Sequence, residues 1–227
     1  MRRALLSRMS YCLPDHVSFG FVGERAVLLD LDADRYLLLG RAEAATLGAL
    51  GTPGASAPSA TILGRLIDRG LIRRGCGGIT PIIADVPRSS ALEANDTRGK
   101  LRISEVGIFR LGAGVSLRWR GLAATIARTR LIRARYAPRL DGKASDDDAA
   151  FAARGYAAAR TYVPAAQRCV PDSLALARAL WRRGIGADLY FGVRLDPFSA
   201  HSWVQRGDLL LSDGLGRVTD HVPVFRL

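Results

Sequence analysis

The chain has 227 residues, of which 48% are apolar and 24% charged, a balance that supports a sizeable core and excludes a disordered or fibrous chain. The opening MRRALLSRMS is basic but has no apolar region behind it, and no stretch reaches the ~18 apolar residues a membrane span needs, so a cytoplasmic protein without membrane insertion is expected. Cys12, Cys76 and Cys169 are odd in number, widely spaced and without a CxxC pair, which argues against a disulfide framework and a structural zinc site.

In the N-terminal part, VSFGFV (17–22), AVLLDL (26–31) and RYLLL (35–39) are short apolar runs separated by the turn signals Gly23-Glu24 and Asp32-Ala33-Asp34. They predict a small antiparallel meander, which must cover one face with helices to be stable. RAEAATLGAL (41–50) supplies one helix through Ala44, Leu47 and Leu50. After the loop TPGASAPS, a second begins near Ser59, carries Ile62, Leu63, Leu66 and Ile67 at helical spacing, and stops at Gly70. Leu71 and Ile72 resume an extended run, completing the order of a small winged-helix-like module.

Such a module raises DNA binding, and a net charge of +12 points the same way until it is located along the chain. Counted along the chain, however, the charge is about +3 for residues 1–80, about +8 for 81–143 and about +1 for 144–227. The second helix offers only Arg65 and Arg69 against Asp68, too few cations for a recognition helix. The excess lies in RWRGLAATIARTRLIRARY, a basic amphipathic pattern that reads better as a solvated or peptide-docking face than as a nucleic-acid site. The strand RYLLL can serve as an edge open to an added peptide.

From about residue 85 the chain turns polar and irregular (DVPRSSALEANDTRGK), the composition of a linker. The expected organisation is α+β, with one domain over 1–85, a linker over 86–99 and a second domain over 100–227. Helices are predicted around 101–110 and 118–135, and another from the Ser145–Asp148 cluster to about Arg160.

In QRCVPDSLALARALW (167–181), Cys169 stands at the start of a helix with Pro171 and Asp172 in its first turn and Leu174, Ala177, Leu180 and Trp181 on one face. Unpaired N–H groups and the helix dipole at that position lower a thiol pKa, although a lone cysteine beside an apolar helix is more often a small core residue. A base is needed to decide. His201 lies in the alternating run SAHSWVQ, followed by RGD and LLLSD; if Arg206, Gly207 and Asp208 form a three-residue loop, His201 faces Asp213 across a hairpin. A two-residue turn pairs His201 with Ser212 instead. His16, in a polar loop, and His221, in the tail TDHVPVFRL, have no evident partner.

The runs RCVPDSLALARALWRRG, AHSWVQ and LLLSDG resemble the leader peptidases of lasso-peptide biosynthesis, the B proteins, whose catalytic domain is papain-like and of transglutaminase-like cysteine-protease type. The N-terminal strands and helices resemble the PqqD-like element that holds the leader of a ribosomally made precursor. The resemblance implies Cys169 as nucleophile, His201 as general base and then acid, and Asp213 as the group that orients the imidazole. It also implies a leader that adds along Arg35, Tyr36, Leu37, Leu38 and Leu39 and packs on Leu63, Leu66 and Ile67. No cofactor is implied; ATP use is expected in the partner, an asparagine-synthetase-like lasso cyclase. Two other readings stay open: an acyltransferase of transglutaminase type using the same triad, and a basic winged-helix binding protein with a structural cysteine.

Overall fold

The computed structural model of the protein describes residues 10–52, 58–75, 77–94, 96, 98–140 and 144–227. Cys76, the first nine residues and 53–57 of the predicted loop lie outside the described residues. The chain divides into two units, Met1–Ile82 and Ile83–Leu227. Among the described residues, no helix is long and apolar enough to cross a membrane.

The first unit is a β-rich module: β1 (Tyr11–Cys12), β2 (Val17–Val22), β3 (Arg25–Asp30), β4 (Arg35–Leu39), α1 (Arg41–Gly51), α2 (Ala60–Asp68) and β5 (Arg73–Arg74). The meander forms as the turn chemistry dictates. Val22 pairs with Arg25 around Gly23, whose φ of +60° suits glycine, and Asp30 pairs with Arg35 around a loop in which the Asp30 carboxylate accepts from the Ala33 N–H at 3.1 Å. Period-two alternation turns Val17, Phe19, Ala26, Leu28 and Leu39 inward, where Leu47 of α1 and Leu66 of α2 cap them. The sheet order is β2-β3-β4, so β4 has a hydrogen-bonding edge not used within this sheet. Leu71 and Ile72, expected in an extended run, are buried core residues; the returning strand falls one step later, where Arg73 and Arg74 pair with β1.

The second unit contains β6 (Ser89–Ser90), α3 (Ile103–Tyr136), a 3-10 turn (Ala137–Arg139), α4 (Asp146–Arg160), α5 (Cys169–Arg182), β7 (Asp188–Arg194), β8 (Ser199–Arg206), β9 (Leu209–Leu210), α6 (Leu215–Val218) and β10 (Val222–Arg226). Its sheet runs β10-β7-β8-β9-β6, with α5 packed on β7 and β8 and α3 packed on α5. Together the units make a mixed α+β protein.

Three expectations need correction in this unit. The helices expected around 101–110 and 118–135 are one helical span whose break falls at Gly121 (φ +76°), not in the glycine-rich stretch before Arg118. The segment 86–99, expected as a linker, contributes β6, which runs parallel to β9 with Ser89 opposite Leu209 and Ser90 opposite Leu210. Finally, the β8–β9 hairpin pairs Arg206 with Leu209 and Gln205 with Leu210 around a two-residue turn in which Gly207 has φ +55°. That register is one residue away from the three-residue loop, and a slip of one reverses which face each later side chain takes.

Candidate active site

Cys169 opens α5 directly after Arg168, whose backbone is extended (φ −143°, ψ 129°). The helix is amphipathic, and Leu174, Ala177, Leu180 and Trp181 seat it in the core, which fixes the position of its first turn. Pro171 has no N–H to offer, so the first-turn donors that the helix leaves open are those of Cys169 and Val170. The half-buried thiol therefore sits at the positive end of a 14-residue helix.

His201 comes from β8, where it lies opposite Gly192 of β7. A side chain at 192 would collide with the Trp203 indole, since a Cβ built there falls 2.5 Å from the ring, so glycine is what lets the Trp203 ring lie against β7 at this position, stacked on Tyr190. His201 Nε2 donates to Asp213 Oδ1 at 3.1 Å. Cross-strand pairing is not what makes this contact. Past Leu210 the chain bends, and Asp213 turns back toward His201 while its backbone carbonyl accepts from the Ser90 hydroxyl at 2.7 Å. Ser212 supports the bend from both sides, its hydroxyl accepting from the Val204 N–H at 2.9 Å and donating to Asp213 Oδ2 at 2.6 Å.

The neighbouring His201 imidazole is the main reason the Cys169 pKa falls to about 7. Burial opposes the shift, while the Ser202 hydroxyl and backbone N–H add to it. For His201, burial pulls the pKa down, but the hydrogen bonds to Asp213 and Cys169 prevail and lift it to about 9. Burial also works against the Asp213 carboxylate, yet its bonds to His201 and Ser212 hold it below its ordinary value. In the window between these values the pair is a thiolate and an imidazolium, the activated form of a cysteine nucleophile.

Asp172 holds the entrance to α5. Its Oδ1 accepts from Arg110 Nε and Arg160 Nε, both at 2.6 Å, and its Oδ2 accepts from the Arg168 N–H at 2.9 Å. The two guanidiniums, 6% and 8% exposed, spend their other donors on the carbonyls of Val163, Ala165 and Ala166. Two buried cations on one carboxylate thus tie residues 163–168, the approach to the thiol, to α3 and α4. A cleft of about 490 Å3 opens over Cys169, its walls including Leu92, Tyr156, Arg168, Leu211 and Arg217.

Sequence reasoning did not anticipate Arg110, Arg160, Ser90 or Ser202 at this site. It also left His221 without a partner, whereas its ring lies 5.8 Å from that of His201, centroid to centroid, and its Nε2 is 3.3 Å from Ser199 Oγ. Burial first, then the neighbouring His201 charge, keeps His221 below the ordinary histidine pKa. His16 is elsewhere, 3.4 Å from Asp32 in the first unit.

Of the residues expected to meet a leader peptide, Arg35, Tyr36, Leu37 and Leu38 lie along β4, with Leu38 50% exposed, and Leu63 and Ile67 of α2 are half-buried. Leu39 and Leu66 do not belong with them. Both are 0% exposed in the core of the first unit, where packing against Phe19 and Leu47 leaves no face for a ligand.

The chain is 47% identical over 45 residues to the microcin J25-processing protein McjB of Escherichia coli, a match covering 20% of this chain and 22% of that protein. No solved structure matches the chain. The model of the Transglutaminase-like superfamily matches residues 113–226, which include α4, α5 and β7 through β10 and hold Cys169, His201 and Asp213. That match takes in half of the sequence, and the protein belongs to the Transglutaminase-like superfamily.

Proposed function

We propose that this protein is a cysteine peptidase that binds the leader of a ribosomally synthesised precursor peptide and hydrolyses the leader–core bond before a lasso ring is closed. The observation that carries the reading is a thiol at a helix N-terminus that shares one cleft with an imidazole held by a buried carboxylate, and whose pKa that imidazole lowers. The identity shared with a microcin-processing protein supports the class of substrate.

In the first half-reaction the Cys169 thiolate attacks the scissile carbonyl carbon. The oxyanion that forms lies by the Cys169 N–H at the head of α5, where the helix dipole favours negative charge. The His201 imidazolium gives its proton to the departing amine as the C–N bond breaks, leaving the leader as a thioester on Sγ and the core as a free amine. In the second half-reaction neutral His201 takes a proton from water, whose oxygen attacks the thioester. The leader departs as a carboxylic acid and the thiolate–imidazolium pair is restored. Asp213 stabilises the imidazolium throughout and keeps Nε2 from competing for the proton.

The first unit acts as a PqqD-like recognition module, with the leader added along β4 beside Leu38, Leu63 and Ile67. Holding the leader on the same chain raises the local concentration of the scissile bond, so cleavage does not depend on tight contacts at the cut. The freed core then passes to an ATP-using, asparagine-synthetase-like cyclase.

The test incubates wild type and Cys169→Ala with the short precursor encoded nearby, with and without that cyclase, and follows the products by mass. Free leader acid from wild type alone supports the reading. An amine adduct of the leader instead identifies an acyltransferase, and equal cleavage by both proteins refutes a Cys169 nucleophile. Salt-dependent DNA binding that survives Cys169→Ala, without cleavage, points to a binding protein.

A further inference from the structure

Helix α3 has two apolar faces. Val106 and Phe109 are buried, as is the side chain of Arg110, and they form the face packed within the second unit. Opposite them, Ile108, Leu111, Val115 and Trp119 are 68%, 48%, 58% and 78% exposed. Their spacing of three, four and four residues keeps them within an arc of roughly 80°, a narrow straight stripe about 17 Å long. A helix that is apolar on both sides has both sides covered in its working state.

We infer that this stripe is the interface of a two-fold homodimer in which α3 of one copy lies antiparallel to α3 of the other. The stripe is self-complementary about a point between residues 113 and 114. Antiparallel pairing there sets Ile108 of one copy beside Trp119 of the other, and Val115 of each against Gly112 of its mate. Gly112 is suited to receive a side chain, since a Cβ built on it meets nothing within 4 Å.

Charge is confined to one end of the stripe, where Trp119 lies between the exposed Arg118 and Arg120. Between residues 103 and 117 the helix carries only Glu105, which Arg183 holds through two 2.8 Å bonds, and Arg110, which is buried on the other face against Asp172. Over that stretch the flanks are otherwise Ser104, Gly107, Gly112 and Gly114, small and uncharged, as close helix–helix contact requires, and antiparallel pairing sets Arg118 and Arg120 opposite positions 109 and 107 of the mate, which carry no charge. The four side chains expose roughly 500 Å2 per copy, so about 1,000 Å2 in total, the lower bound for a specific interface. A weak dimer follows.

The 227-residue chain, studied by sedimentation equilibrium from about 1 to 200 μM, should pass from monomer to dimer. Because each copy carries +12, raising salt from about 50 to 500 mM should tighten the dimer several-fold, the reverse of its effect on a charge-driven complex. Trp119 provides a second readout: Trp181 and Trp203 are 0% and 2% exposed, so a blue shift of emission with concentration reports the stripe. Val115→Arg should leave a monomer with an unchanged melting temperature, and Trp119→Gln should do the same at lower cost should the arginine impair folding. A chain that stays monomeric at the highest concentration overturns the inference, as does a dimer that both variants leave intact. A Trp119 shift produced by phosphatidylglycerol vesicles while the mass remains that of a monomer also overturns it.

Discussion

Replacing Asp172 by Asn removes one negative charge and leaves the shape of the side chain almost unchanged. In the native protein the carboxylate answers two guanidiniums that are 6% and 8% exposed, so the cluster already carries one excess positive charge; the Asn variant leaves two buried cations with none to offset them. Breaking a buried pair by removing one partner costs about 3–5 kcal/mol, and since Asp172 itself is 21% exposed the lower end applies, about 3 kcal/mol. For a unit of this size that lowers the melting temperature by about 6–12 °C. All three tryptophans, Trp119, Trp181 and Trp203, belong to the second unit, so tryptophan emission during urea unfolding follows that unit by itself. Arg110→Met should cost less than Asp172→Asn, because it leaves one cation facing one anion. An Asn variant within about 1 kcal/mol of wild type, or one more stable than Arg110→Met, refutes the clamp as drawn.

On the proposed peptidase reading, kcat/KM should follow a bell with limbs near pH 7 and 9. Below the lower value the thiol is protonated and cannot attack; above the upper value the imidazolium is lost and cannot protonate the leaving amine, and stopped-assay rates across pH 5–10 check both limbs. Asp213→Asn removes the charge that raises the His201 pKa, so the alkaline limb should move down and the thiol pKa up, with kcat lower by about 10²–10⁴-fold; thiolate absorbance against pH measures the shift separately from turnover. Gly192→Ala drives a methyl group into the Trp203 ring and should destabilise the second unit by about 1–3 kcal/mol, read from the same urea transition.

The local elements were legible because neighbouring residues determine them. Gly23-Glu24 and the Asp32–Asp34 turn delimit the meander, the Ser145–Asp148 box opens α4, and the run from Cys169 through Trp181 is an amphipathic helix with proline in its first turn. Contacts between residues distant in sequence were not legible. The Arg110–Asp172 bond spans 62 positions and the Ser90–Asp213 bond 123, and neither leaves a periodic trace. The hairpin register depended on whether Arg206 belongs to the strand or to the turn, which composition does not decide. Asp213 meets His201 although the expected register was wrong, because the strand ends and the chain bends before the slip could carry the carboxylate to the opposite face. Leu39 and Leu66 show the converse: apolar residues at an edge and on a helix face look alike whether they meet a ligand or the core, and only the three-dimensional packing separates them.

The parallel strand at Ser89–Ser90 determines where this protein can be cut. Gln205 Nε2 donates to the Asp85 carbonyl at 2.6 Å, and the Arg88 N–H donates to the Asp208 carbonyl at 2.8 Å, so the hairpin that carries His201 is tied to residues well ahead of the first long helix. A second unit excised at residue 100, where the polar composition invites the cut, loses the Ser90 hydroxyl that steadies Asp213 and exposes β9 as an open edge. Excised at 83, the same half keeps its fifth strand. The shorter fragment should aggregate or bind hydrophobic dyes, while the longer one should show a single cooperative transition, as expected of a second unit that begins before this strand.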